Sequence, residues 1–495
     1  MAEMRTLAKD TAIYGVSSIL GKFLNWLLVP FYTYVLKSQA DYGIVTNLYA
    51  WTALLLVILT YGMETGFFRF ANRDDRNPAD VYTTILSCVG TTSTFFAVLC
   101  CLFSHPIASW LGYEGHSEFI ALLAVVVAMD AFACIPFAYL RYKKRPIRFA
   151  ALKLLFVFLN ILFNIFFLVV CPRISHWAII EPWYNPTYGV GYVFVSNILA
   201  TGIQTLFLLP EVLDAHRSRG HFSFSLLAEL LRYSLPLLVL GVAGIMNQTL
   251  DRILFPFLST APDTQEQLGI YGACFKVAMV MMVFTQAFRY AYEPFVFSKH
   301  KDRHSVEAYA DAMKYYIIFT MLILLGMVFY LDILKFIIKP SYWSGLNVVP
   351  IVLWTYVFQG VYFNLSFWYK LTDQTQWGAW FSLIGLVITL VLQIIFVPRF
   401  GYMASAGSSL VCYFVIMTLS YVIGQHYMPI PYDFRSIGIY VGTALLCLAV
   451  SHYCAHTPWW YVNYGINTML LIGYLALLVR RDFPLSALLE RFKKQ

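Results

Sequence analysis

Charge is what this 495-residue chain lacks: Asp, Glu, Lys and Arg make up 12% of it, against a hydrophobic share of 60%. Soluble domains carry about 25% charged residues, so a water-soluble globular protein is excluded and a chain crossing a bilayer many times is expected. Long polar stretches are missing too, and no loop is large enough for a soluble domain. The longest on the outer side, Cys171–Tyr188, is short. Membrane-bound glycan polymerases and ligases usually place catalytic groups on a sizeable outer loop, so that class is disfavoured. There is no CxxC among the nine cysteines, which lie mostly inside apolar runs and read as structural thiols. No nucleophile–base arrangement and no carboxylate dyad occurs, and the chain does not read as an enzyme. Gly15–Lys22 imitates a phosphate-binding loop but has five residues between its glycines and Phe23 where Ser or Thr is required. His452 and His456 stand at helical spacing without a third ligand, so no metal or other cofactor is expected.

What is present is hydrophobic length. About fourteen apolar runs approach the roughly 20 residues needed to cross a membrane: 10–36, 41–66, 80–104, 118–140, 149–171, 188–210, 226–257, 266–297, 310–332, 347–369, 376–397, 403–425, 436–455 and 459–479. The first is too long for a cleavable signal peptide, contains Lys22 and is followed by no small-residue cleavage site. Aromatic residues reach 18%, with many Tyr and Trp at run ends, where headgroups hold amphipathic rings. The net charge of +8 is concentrated in alternate loops, which lie on one side of the membrane, such as Arg69–Arg76, Arg141–Arg148 and Arg480–Arg481. This bias places both termini in the cytoplasm, which requires an even number of spans, and it speaks for membrane topology and against nucleic acid. The tail after Arg481, with Leu485, Leu488, Leu489 and Phe492 on one helical face, is expected along the inner leaflet.

An internal repeat appears at an offset of 226 residues. Asn25–Phe31 (NWLLVPF) aligns with Asp251–Phe257 (DRILFPF), Gly43-Ile44 with Gly269-Ile270, and Val57 with Val283. A six-helix unit repeated in this way keeps its orientation, giving two parallel lobes about a central cavity. The expected organisation is all-α: an N-terminal lobe over 1–219, a C-terminal lobe over 220–430, an extra helix pair over 431–480 and a basic tail over 481–495.

A charge near the centre of a membrane helix costs about 2.5–3.5 kcal/mol, so it normally faces a partner or a wet cavity. Tyr14, Ser18, Lys22 and Asn25 share a face of the first run; Lys153, Asn160 and Asn164 share one of the fifth; Asn197, Thr201 and Gln204 recur on the sixth. The seventh and eighth carry Asn247, Asp251, Arg252 and Lys276. The Asn, Ser and Thr positions read equally as interhelical hydrogen bonds, and Lys153 also as a side chain snorkelling to the interface. Asp251 and Arg252 are adjacent, pointing about 100° apart on a helix, and need not pair with each other. Asp251 and Asp130 are candidates for binding Na⁺ or a proton. Arg289 with Glu293 is a candidate inner gate, or a pair that only neutralises itself; Glu64 with Arg69 is its counterpart in the other lobe.

The stretch TLAKDTAIYGVSSILGKFLNWLLVPFYTYVLKSQADYGIV, with QTLDRILFPFLS and QLGIYGACFKVAMVM, resembles the polysaccharide flippase branch of the multidrug/oligosaccharidyl-lipid/polysaccharide exporter superfamily. The likeness runs through the whole 6+6+2 arrangement and is densest in 5–76 and 245–297. It implies alternating access and a polyprenyl-pyrophosphate-linked oligosaccharide carried from the cytoplasmic to the outer leaflet of a bacterial inner membrane. It also implies membrane lipids and polysaccharide polymerase or assembly proteins as partners. Relatives that flip lipid II or O-antigen use cavity cations, and by matched position Lys22 and Arg252 carry that role here; Lys153 and Lys276 rest on local inference. A pyrophosphate in a low-dielectric slab needs such cations. The alternative is a cation-coupled drug or metabolite antiporter of the same superfamily. Lys22, Arg252 and Lys276 outnumber Asp130 and Asp251 by one charge, which favours the anionic cargo.

Overall fold

The computed structural model describes residues 15–17, 19–177, 179–217, 220–299, 305–454 and 460–482. Tyr14, Ser18, His456 and the tail beyond Asp482 lie outside these. The described residues form helices without strands. In chain order the longer ones are α1 (Leu28–Val35), α2 (Gln39–Thr60), α3 (Met63–Ala71), α4 (Pro78–Leu102), α5 (Ser117–Tyr142), α6 (Pro146–Ile165), α7 (Gly191–Phe207), α8 (Phe224–Leu258) and α9 (Thr264–Val277). They continue with α10 (Met279–Lys299), α11 (Ser305–Phe329), α12 (Val348–Leu365), α13 (Phe367–Leu371), α14 (Gln376–Phe400), α15 (Tyr402–Tyr427), α16 (Phe434–Cys454) and α17 (Trp460–Arg481).

Eleven spans among the described residues are long and apolar enough to cross a bilayer, or twelve if the bent pair Thr264–Val277 and Met279–Tyr290 is one span. This is fewer than the about fourteen expected. The run at 188–210 forms α7, whose 17 residues fall short of the roughly 20 required. The first run, 10–36, falls partly outside the described residues. Large apolar side chains such as Leu102, Val422 and Met469 are exposed on these helices, as a hydrocarbon environment requires.

The chain divides into two compact units, Met1–Ala273 with Ser382–Ser408, and Cys274–Phe381 with Ser409–Gln495. In the first, α4 packs along α5, α7 along α6 and α5, and α8 along α2. The Tyr82 and Tyr139 rings stack at 4.1 Å with Phe67 edge-on at 5.8 Å, and Tyr82 OH donates to Glu211 O at 3.0 Å. Ser38 Oγ caps α2 by accepting from Asp41 N–H, and Ser38 N–H donates in return to the Asp41 carboxylate, fixing where the helix begins. It ends where Tyr61 and Gly62 take positive φ (28° and 72°), which interrupts the helix before α3 continues the same span.

The repeat has a direct physical expression. A β-carbon on Gly43 would run into Gln265 O and stand 3.1 Å from Gly269 N. A β-carbon on Gly269 would run into Gln39 O and stand 3.0 Å from Gly43 N. One on Gly272 would strike Thr46, and 39/265, 43/269 and 46/272 are each related by the repeat offset. Equivalent residues therefore meet reciprocally, as across a two-fold axis, through the small residues that let membrane helices approach closely.

In the second unit α11 packs against α12, α16 and α17. The extra pair is pinned at one end: Asp482 accepts from Lys314 Nζ at 3.0 Å and from Tyr440 OH, and Arg481 donates to Ser436 Oγ at 2.9 Å. A ring cluster around Trp368, Phe381 and Tyr427 fills the space between α13, α14 and α15.

Replacing Gly43 or Gly269 by Val is expected to force α2 and α9 apart at a cost of about 1–3 kcal/mol or more. Purified protein should show a lower thermal midpoint for either variant, whereas Val at Gly244, where a β-carbon meets nothing, should leave it unchanged.

Candidate functional site

Ionisable groups survive among apolar helices only by facing each other, and α5 gathers them on one stripe. Asp130, Cys134, Phe137 and Arg141 recur at steps of four, three and four residues and so share a face. Arg141 ion-pairs with Glu64, and Cys134 Sγ donates to the other carboxylate oxygen of Glu64 at 3.0 Å. Lys153 on α6 holds its ammonium 4.0 Å from the centre of the Phe137 ring and interacts electrostatically with Asp130, Glu64 and Arg141. The Tyr61–Gly62 break places Glu64 there, in the first turn of α3. Glu64 and Arg141 retain 37% and 32% exposure, so this pair is only partly buried. From Arg141 to Asp130 the column rises about 16 Å along the helix, roughly half the hydrocarbon thickness.

Arg69 is the partner that the sequence suggests for Glu64. Instead, Arg69 lies over the Tyr233 ring at 4.3 Å, while Arg141, counted from sequence as a loop charge, takes the carboxylate. Residues five apart point to different sides of a helix, which is why the Glu64–Arg69 spacing does not produce a pair.

A second network surrounds Asp251. One of its oxygens accepts from Tyr271 OH and the other lies 3.3 Å from Arg252 Nε. The neighbours thus pair despite their adjacency, because the long arginine side chain folds back. Arg252 also donates to Gln248 O, and its own carbonyl accepts from Asn47 Nδ2 at 2.7 Å. Tyr113 OH completes the chain by donating to Asn47 Oδ1 at 2.8 Å. Asp251 and Arg252 keep 3% and 13% exposure, so this is a buried tie between α2, α8 and α9.

The second unit holds its own cluster. Arg289 and Glu293 on α10 stand 3.5 Å apart, Arg289 lies 5.2 Å from the Phe363 ring centre, and Lys370 on α13 interacts electrostatically with both charges. Lys276, near the end of α9, has its ammonium 3.9 Å from Met279 Sδ. Lys22 and Asn25 are exposed on the helical segment 19–26, where Gly21 faces Val157, one turn from Lys153 on α6. Asn160 and Asn164 are buried, with Asn164 Nδ2 donating to Asn160 O at 2.8 Å. Asn197 donates to Tyr49 OH at 2.9 Å, Gln204 to Leu152 O at 3.0 Å, and Asn247 to Ser382 O at 2.9 Å. Among the described residues no cluster of His, Cys, Asp and Glu is arranged to hold a metal.

A family model described as "Polysaccharide biosynthesis protein" matches residues 36–347. The chain belongs to that family. No curated protein sequence matches it. Among solved structures it is similar to lipid II flippase MurJ in an inward closed conformation, with TM-score 0.73 and 12% identity over 94% of this chain and 98% of that one. It is also similar to a multidrug resistance MATE family transporter of the MOP superfamily in an inward-facing conformation, with TM-score 0.66 and 12% identity over 82% and 94% of the two chains. The fold is therefore that shared by these flippase and transporter structures.

Sequence reasoning did not single out Arg141, Tyr271, Asn47, Tyr113 or Lys370 as site residues. For Arg141 a signal existed, since it stands eleven residues from Asp130 on the same stripe. The others are joined only by the tertiary fold. Arg252→Ala is expected to leave Asp251 buried without its cation and destabilise the protein by about 3–5 kcal/mol. The double variant Asp251→Asn/Arg252→Ala should recover part of that loss in thermal unfolding.

Proposed function

We propose that this protein is a flippase for a polyprenyl-pyrophosphate-linked oligosaccharide, carrying it from the cytoplasmic to the outer leaflet of a bacterial inner membrane for surface polysaccharide synthesis. The observation that carries the reading is the column Glu64–Arg141–Lys153–Asp130. It begins at the basic end of α5, where Arg141 meets Glu64 in the first turn of α3, and rises to the middle of α5. A pyrophosphate entering it would exchange one set of acidic partners for another: Arg141 and Lys153 release Glu64 and Asp130 and take the cargo by charge-assisted hydrogen bonds. The cations meet an acid before and after exchange, which keeps the cost of moving an anion through low dielectric small. Exposed Lys22 adds a further positive charge, while Arg252, committed to Asp251, serves the framework. Membership of a polysaccharide biosynthesis family supports a glycan as the cargo. Asp130, released when Lys153 turns to the cargo, is the better placed of the two carboxylates to take up Na⁺ or a proton and couple transport to an ion gradient. Alternating access completes the cycle, with membrane lipids accommodating the polyprenyl tail and polysaccharide assembly proteins receiving the product.

Depletion in the host, with polyprenyl-pyrophosphate glycans quantified on each leaflet, tests this. Accumulation on the cytoplasmic leaflet with loss of surface polymer is expected. An unchanged pool with new sensitivity to organic cations would transfer the conclusion to drug export. In a depleted host, Lys153→Gln should restore flipping about ten- to hundredfold less well than wild type, the loss of a charged hydrogen bond of about 1.5–3 kcal/mol. Arg173→Gln, exposed at the far end of the same span as Lys153, should restore it fully.

A further inference from the structure

The helix pair α16–α17 has no counterpart in the repeat, yet it builds a cavity. Where α11 ends at Phe329 and the short helix Leu331–Leu334 turns away, a space of about 590 Å³ opens between that turn, the end of α16 and the start of α17. This lies within the usual range of small-molecule sites, about 300–1,000 Å³. By the distribution of basic loops it faces the outer side, at the far end of α11 from the pinned pair Lys314–Asp482.

Its lining has a definite chemical character. Asp332, Lys335, His452, Asn463, Tyr464 and Asn467 all border it. Lys335 Nζ lies 2.7 Å from Asp332 Oδ1 and 4.7 Å from the centre of the Trp343 ring, so the one Lys of the lining is already neutralised. A phosphate would need surplus positive charge, which this pair does not offer. Two carboxamides, a carboxylate, an ammonium and an imidazole instead present donors and acceptors together, the combination that hydroxyl groups satisfy, since each hydroxyl both donates and accepts. A flat aromatic wall stands beside them: the Tyr464 ring stacks on Tyr330 at 6.2 Å with an interplanar angle of 6°, and Tyr330 OH shares a 2.8 Å bond with Thr468 Oγ1. Asn467 Nδ2 donates to Phe329 O at 3.2 Å, which fixes the orientation of that amide at the rim.

We infer that this cavity is a saccharide site, which holds sugar rings of the exported glycan at the outer face after translocation. The inference rests on the reading that the cargo carries a glycan. Its place on the extra pair, in the second unit, while the charge column belongs to the first, separates recognition of the sugar from recognition of the pyrophosphate.

The test is equilibrium binding to the full chain in nanodiscs. The probe is the oligosaccharide released by mild acid from the host's own polyprenyl-linked pool, tritiated at its reducing end, with inorganic pyrophosphate as competitor. Saturable binding is expected, weakened about tenfold or more by Asn463→Ala and by Tyr464→Ala and unaffected by excess pyrophosphate. Absence of saturable binding, equal binding by both variants, or displacement by pyrophosphate would overturn the inference. Thermal midpoints accompany each variant, and if Tyr464→Ala does not fold, Asn463→Ala and His452→Ala, on separate helices, decide the matter. The assay needs no transport. Unchanged leaflet pools on depletion would sink the flippase reading while binding stands, whereas a flipping defect without glycan binding would sink this site alone.

Discussion

A charge inside hydrocarbon persists only when another charge or a dense set of dipoles answers it, and the first unit of this protein is arranged around that requirement. Glu64 answers Arg141 and Asp251 answers Arg252 with help from Tyr271, while Asp130 and Lys153 interact at longer range. The three differ in how firmly the partners are held. Around Asp251 both oxygens are engaged and the exposure is nearly nil, so the charges act as a fastening between helices. Around Glu64 about a third of each side chain stays exposed. Burial separates the two sites, although the residue types are the same.

The spans themselves were legible because, in a chain with so little charge, about twenty apolar residues in a row can do little except cross a bilayer. The departures have local causes. At α7 the helix stops at Phe207, shorter than the hydrophobic run that contains it. The repeat was legible as matched letters, Gly43 with Gly269, but letters do not say that the matched residues touch. Charge pairing was the least legible property. Helical spacing placed Asn160 and Asn164 correctly on one face, yet which neighbour covers that face is decided by packing, and both amides are buried. Arg141 was hidden by its basic surroundings, where a loop charge looks the same as the end of a polar stripe.

The second unit carries features that the repeat does not explain. Its acid–base cluster of Arg289, Glu293 and Lys370 sits on α10 and α13, while the extra pair is anchored by Lys314 and Asp482 at one end and lines a polar cavity at the other. An appended helix pair with no symmetric partner is free to acquire a role that the paired helices, bound to serve both halves, cannot take on without consequence for the other copy.

The reciprocal crossing at Gly43 and Gly269 reads the same from either side. A surface that is its own complement is the kind that two identical molecules use to form a symmetric dimer, and two copies inserted with the same orientation meet that condition. An ancestral half-length chain bearing a single such glycine would already have possessed this contact, made with a second copy of itself. Gene fusion would then have changed no atom at the crossing, only the number of chains that supply it, and would have left each glycine answerable to the other ever since.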